Sequence, residues 1–135
     1  MIKPFIATDL REVAPDVLAY IGDGVYELYA RCHSVGQGAA NSNKVHKHNL
    51  KYVSATAQAK AVRVLADEFD EEEKAYYLRG KNSNPHSVSK NADHIDYLCA
   101  TGFETVIGFL FMDNREERMQ YLIYKTFEIL DEGET

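Results

Sequence analysis

Three acids of this chain have the types and settings that do chemistry: Asp16, Asp23 and Glu104. Asp16 and Asp23 stand seven residues apart in Ala14-Pro15-Asp16-Val17-Leu18-Ala19-Tyr20-Ile21-Gly22-Asp23-Gly24-Val25-Tyr26-Glu27-Leu28-Tyr29. At about 100° per residue, that interval returns a helical side chain to nearly the same face two turns on. Asp23 is flanked by Gly22 and Gly24, each disfavoured mid-helix by roughly 1 kcal/mol against Ala. Two such costs around one carboxylate point to the close approach of another backbone or a ligand. The alternative is a solvated acid beside two packing glycines. Glu104 sits in Ala100-Thr101-Gly102-Phe103-Glu104-Thr105-Val106-Ile107-Gly108, where an unpartnered carboxylate is costly to bury. It calls for a metal, a water or a Lys or Arg partner. Thr101, three residues earlier, shares its face. If the two helices pack, Glu104 approaches Asp23, and converging carboxylates repel unless a divalent cation lies between them. Oxygen ligands with several retained waters are what Mg²⁺ prefers.

The elements that must position these acids read as helices. Pro15 suits a first helical turn, and Leu18, Ile21, Val25 and Leu28 keep the amphipathic period. The first long helix runs from about Pro15 to His33, with Gly36 and Gly38 as its stop signal. Before it lies an irregular lead-in with Thr8 or Asp9 as a cap. A second helix spans about Lys44 to Leu65 with a break near Val53-Ser54, its apolar positions being Val45, Leu50, Val53, Ala57, Ala61 and Val62/Leu65. Glu71 to Arg79 form a short helix with acids first and Arg79 last, as the helix dipole favours. Lys81 to Lys90 is a polar stretch with loop composition. Helices follow from about Ala92 to Met112, with an apolar face of Tyr97, Ala100, Phe103, Val106, Ile107 and Leu110, and from Arg115 to about Leu130. No convincing strand alternation is present. The expectation is all-α, one domain over residues 1–135.

Hydrophobic residues at 45% and charged residues at 27% are ordinary for a soluble globular protein. No run of about 18 apolar residues suggests a membrane span, and Met1-Ile2-Lys3-Pro4-Phe5 has no secretory pattern. Cys32 and Cys99 fit no metal-ligand spacing, so free buried thiols in a reducing cytoplasm are expected. The net charge is −6, yet residues 31–66 hold Arg31, Lys44, Lys47, Lys51, Lys60 and Arg63 with no Asp or Glu. A basic segment on an acidic protein is an electrostatic footprint for a polyanion, or else an ordinary solvated helix surface.

Leu18-Ala19-Tyr20-Ile21-Gly22-Asp23-Gly24-Val25-Tyr26-Glu27-Leu28 resembles the signature helix of the ribonuclease III domain, roughly LEFLGDAVLEL. Ala100 to Gly108 resembles that domain's second acidic motif, roughly ADTVEALIG; the motifs occur in the same order, and the resemblance covers nearly the whole chain. Ala19 replaces the Glu of the larger enzymes and Thr101 replaces the first Asp of their second motif. No double-stranded-RNA-binding domain is expected after Thr135. These departures resemble the short bacterial form, Mini-ribonuclease III. Arg79-Gly80-Lys81-Asn82 resembles an RGRN-like segment of that form, and His46-Lys47 with Val53-Ser54-Ala55 fits its middle helix.

The resemblance implies an all-α endonuclease domain forming a helical homodimer, one active site per subunit, that cuts double-stranded RNA to 5′-phosphate and 3′-hydroxyl ends. It implies Asp23 and Glu104 as catalytic residues and direct ligands of Mg²⁺, for which Mn²⁺ substitutes, with Asp16 and Thr101 in the ion's outer shell. Lys47, Lys51, Arg79, Lys81 and Asn82 are the expected RNA contacts. Glu27, four residues after Asp23, is an outer-shell or dimer-contact group or a plain surface acid. Gly22 and Gly24 make sense if signature helices of two subunits pack closely. The implied substrate is 23S precursor rRNA, its ends matured in the cytoplasm with a large-subunit ribosomal protein shaping the target. The rival readings are a non-catalytic RNA- or ribosome-precursor-binding dimer of the same fold, and a helical metal-dependent phosphohydrolase acting on nucleotides.

Overall fold

The structure, a computed structural model, describes residues 2–83 and 92–133. Six α-helices carry the fold: α1 (Pro15–Gly36), α2 (Ser42–Val53), α3 (Ala55–Leu65), α4 (Glu71–Lys81), α5 (Ala92–Met112) and α6 (Glu116–Glu132). Short 3-10 turns at Leu10–Glu12 and Ala66–Glu68 complete it, and no strand occurs among the described residues. Most of the polar stretch that composition marks as a loop, residues 84–91, lies outside the described residues.

The boundaries follow local chemistry. Pro15 opens α1, and Asp9 caps the first 3-10 turn by accepting from the Arg11 N–H at 2.9 Å. The break near Val53-Ser54 is real: Ser54 leaves the helical conformation and accepts from the Ala57 N–H at 3.2 Å, so it ends α2 and caps α3. Asp70 and Glu73 form a capping box at the start of α4. The Glu73 carboxylate is fully buried, and Arg118 on α6 grips it with two bonds of 2.8 and 2.9 Å. Burying that charge is tolerable only because it is paired and hydrogen-bonded.

α5 is the central helix, packed against α1, α3, α4 and α6. By length and apolarity it is a helix that could cross a membrane, but 56% of its most apolar window is buried inside the fold. Tyr26, Phe103, Phe127, Leu110 and Ile107 fill the core around it. Where α1 meets α5 the two backbones touch. A Cβ on Gly22 would overlap the Glu104 carbonyl oxygen, and one on Gly108 would overlap the Leu18 carbonyl oxygen. The glycine that lets another backbone approach is therefore Gly22, and that backbone belongs to this chain's own α5 rather than to a second subunit. Gly24 faces open space.

Three apolar positions assigned to the core by spacing lie on the surface instead: Leu28 at 52%, Leu50 at 60% and Tyr97 at 53% exposure. On α1 the buried stripe runs through Leu18, Gly22, Val25, Tyr26 and Ala30, which turns Leu28 outward. On α2 the inward residues are Asn49 and Tyr52, and the Tyr52 backbone carbonyl accepts from the Tyr26 hydroxyl at 2.8 Å. Cys99 is buried as expected, but Cys32 is exposed.

Candidate active site

The packing of α1 on α5 sets Asp23 beside Glu104. Gly22, one residue before Asp23, lies on the Glu104 carbonyl itself, so a backbone-to-backbone contact sets the spacing of the two acids. Asp23 is exposed and Glu104 is largely buried. Burial, then a hydrogen bond with the Asp23 carboxyl group and its negative charge, push Glu104 up to about 8. The nearby Glu27 adds to the rise, while the Gln58 amide opposes it. In the metal-free protein at neutral pH Glu104 therefore largely keeps its proton.

Two amides hold the acids from the other side. Gln58 on α3, only 2% exposed, donates through Nε2 to Glu104 Oε2 at 3.3 Å and to the Val53 carbonyl at 3.0 Å. Asn49 on α2, 6% exposed, donates through Nδ2 to Glu27 Oε2 at 2.8 Å. The oxygen of each amide is buried without a hydrogen-bond partner. Arg31 flanks Glu27 from the next turn at 3.4 Å. Among the described residues no Lys or Arg pairs with Glu104; an acid and an amide contact it.

The structure brings Asp23 and Glu104 together and leaves Asp16 and Thr101 apart from that contact. Asp16 is exposed at the start of α1, two turns from Asp23, or about 10 Å along the axis at 1.5 Å per residue. Thr101 donates its hydroxyl to the Tyr97 carbonyl at 3.0 Å. Among the described residues, no three Asp, Glu, His or Cys side chains cluster tightly enough to hold a metal by themselves. Lys47 is exposed on α2, near Lys44 and His48 around a shallow depression. Lys51 is half-buried and paired with Asp131 at 3.0 Å. Arg79 stacks on the Tyr76 ring, and Lys81 and Asn82 close α4. That end packs on α5 near Glu104, with Gly80 against Thr105 and Tyr77 against Gly102.

Sequence reasoning passed over Asn49 and Gln58. For Gln58 a signal exists: Gln58, Ala61, Val62 and Leu65 follow the helical period and are all buried, so a polar residue occupies the core stripe of α3. Such a residue must have a buried partner.

An all-helical domain that sets a half-buried acid beside an exposed one on two crossing helices has the oxygen donors that metal-assisted hydrolysis uses. The family model for the ribonuclease III domain matches residues 16–115. A Mini-ribonuclease 3 of Clostridium tetani is 38% identical over 132 residues, covering 97% of this chain and 87% of the relative. One of Brevibacillus brevis is 39% identical over 135 residues and covers 100% of both. A crystal structure of a Fusobacterium nucleatum protein, 26% identical, superposes with a TM-score of 0.77 over 96% of this chain and 100% of that one. The chain belongs to the ribonuclease III family, among its Mini-ribonuclease 3 members, and is an endoribonuclease.

Proposed function

We propose that this protein is a Mg²⁺-dependent homodimer that cuts both strands of duplex RNA, and that its substrate is the paired ends of 23S precursor rRNA. The observation that carries the reading is the Asp23–Glu104 contact, a half-buried acid turned toward a second acid, with no basic side chain of the described residues bonded to Glu104. The donor set fits a hard cation: all ligating atoms are oxygens, and two protein carboxylates leave room for waters and RNA phosphate, as Mg²⁺ requires. Mn²⁺ takes the same ligands. Asp23 and Glu104 would hold the ion. When bound, it would acidify a water and stabilise charge on the scissile phosphate and the departing 3′ oxygen.

The chain's own groups do the rest. Exposed Asp23 faces the incoming phosphate, while Glu104 is anchored from behind by Gln58. The Thr101 hydroxyl donates its hydrogen to the Tyr97 carbonyl, which leaves its oxygen lone pairs to accept from a hydrating water. Asp16 serves the same outer shell from two turns away. Lys47, Arg79, Lys81 and Asn82 contact phosphates and 2′-hydroxyls, the features by which duplex RNA is read. Lys51 joins them once it exchanges Asp131 for a phosphate. A large-subunit ribosomal protein bound to the precursor would shape the duplex.

The dimer is supported by an apolar stripe on the outer face of α1. Val17, Tyr20 and Leu28 are 48%, 79% and 52% exposed, with open Gly24 among them and Ile2 and Phe5 of the lead-in at 76% and 89%. A contiguous apolar surface of this kind marks an interaction site. Incubating a 23S precursor fragment with the protein and Mg²⁺, then mapping both strands, tests the reading. Cuts on facing strands are expected. Retention of the uncut fragment would favour the non-catalytic binding dimer.

A further inference from the structure

We propose that Gln58 is a positioning residue that fixes the Glu104 carboxylate as an oxygen donor. The inference rests on Glu104 being a metal ligand. The amide's orientation follows from chemistry: the Val53 carbonyl at 3.0 Å can only accept, so the group facing it is the NH₂. One N–H is therefore tied to the last residue of α2, where the chain turns into α3. The other reaches Glu104 Oε2 at 3.3 Å. Gln58 thus joins three elements, α2, α3 and α5, at the carboxylate that would hold the cation.

Gln58 is the one side-chain amide among the described residues that donates to the Glu104 carboxylate. Gln58 is then the group that keeps one carboxylate oxygen in place while the other binds the ion. Its own Oε1 is buried and has no hydrogen-bond partner, and a buried acceptor left without a donor is destabilising. Such an acceptor is satisfied when a water of the ion's shell donates to it. A buried glutamine with only a packing role has no need of either feature.

The test is direct Mn²⁺ binding by RNA-free protein, measured calorimetrically, together with the Mg²⁺ concentration for half-maximal cleavage. Gln58→Met keeps side-chain length and volume and removes the donor. Gln58→Asn keeps an amide but is too short to reach Val53 and Glu104 together, and it serves if the Met variant does not fold. Both variants should bind Mn²⁺ about tenfold more weakly, the scale on which partners of metal ligands act. Both should also need about tenfold more Mg²⁺ while KM for duplex RNA stays within about twofold. Unchanged Mn²⁺ affinity in a folded variant would overturn the inference. Failure of the unaltered protein to bind Mn²⁺ would instead overturn the metal reading on which it rests.

Discussion

Glu104 is held by burial and by Asp23 in a state that ordinary glutamates do not adopt near neutrality, with its titration moved up to about 8. The folded protein keeps a proton that the unfolded chain releases in the usual carboxylate range. Metal-free stability therefore falls as pH rises from about 4.5 toward 8. Thermal melts of chelator-treated protein at pH 5, 6, 7 and 8 check this, and Glu104→Gln should flatten the slope. Added Mg²⁺ must displace the same proton, so its apparent affinity should climb over the upper part of that range. An affinity independent of pH would place the cation elsewhere. How much of this was legible depends on the residue. Asp23 and Glu104 were readable because acids inside apolar helical periods are conspicuous. Gln58 was not, because its role comes from a contact made across 46 positions of chain, although its place on the buried stripe of α3 marked it.

At the scale of the element, α1 and α5 meet backbone to backbone, and this is what sets the distance between the two acids. Gly22→Ala and Gly108→Ala each thrust a methyl into a carbonyl of the facing helix. Overpacking of this kind costs about 1–3 kcal/mol or more, and the shift it forces should cut activity beyond what the lost stability explains. Gly24→Ala meets nothing within 4 Å in the monomer, so helix propensity should make it neutral or stabilising by up to about 1 kcal/mol. Chemical denaturation of the three variants separates these outcomes. The helices themselves were plain in the sequence: α5 from Ala92 to Met112 and the break at Ser54 follow from period and caps. What the pattern could not give was the direction of each face. Leu28, Leu50 and Tyr97 keep the helical spacing but point outward, because which of two apolar stripes is buried depends on the neighbour. The two glycines looked alike in sequence and differ only in what stands opposite.

For the whole molecule, an acidic chain must approach a polyanion. Arg31 and Arg63 are paired with Glu27 and Asp96, and Lys51 with Asp131, so much of the basic segment is internally matched. Lys47 is exposed on α2, and on the proposed reading Lys47→Ala should weaken duplex binding with a reduced salt slope. The outward stripe of α1 makes the assembly testable. Tyr20→Glu, at a position 79% exposed, should leave the monomer's stability nearly unchanged yet shift the protein to a monomer in sedimentation, with loss of paired cuts. A variant that sediments like the parent would remove this face from the dimer. The most direct test of the central claim is cleavage of a defined RNA duplex in Mg²⁺ by the parent, Asp23→Asn and Glu104→Gln proteins, with binding measured in parallel. The account predicts cuts on both strands by the parent and a fall of at least about 100-fold in kcat for each variant, as loss of a group stabilising transition-state charge brings, with RNA affinity largely kept. Undiminished cleavage by either variant, or cleavage by the parent that persists after chelation of divalent ions, would contradict it.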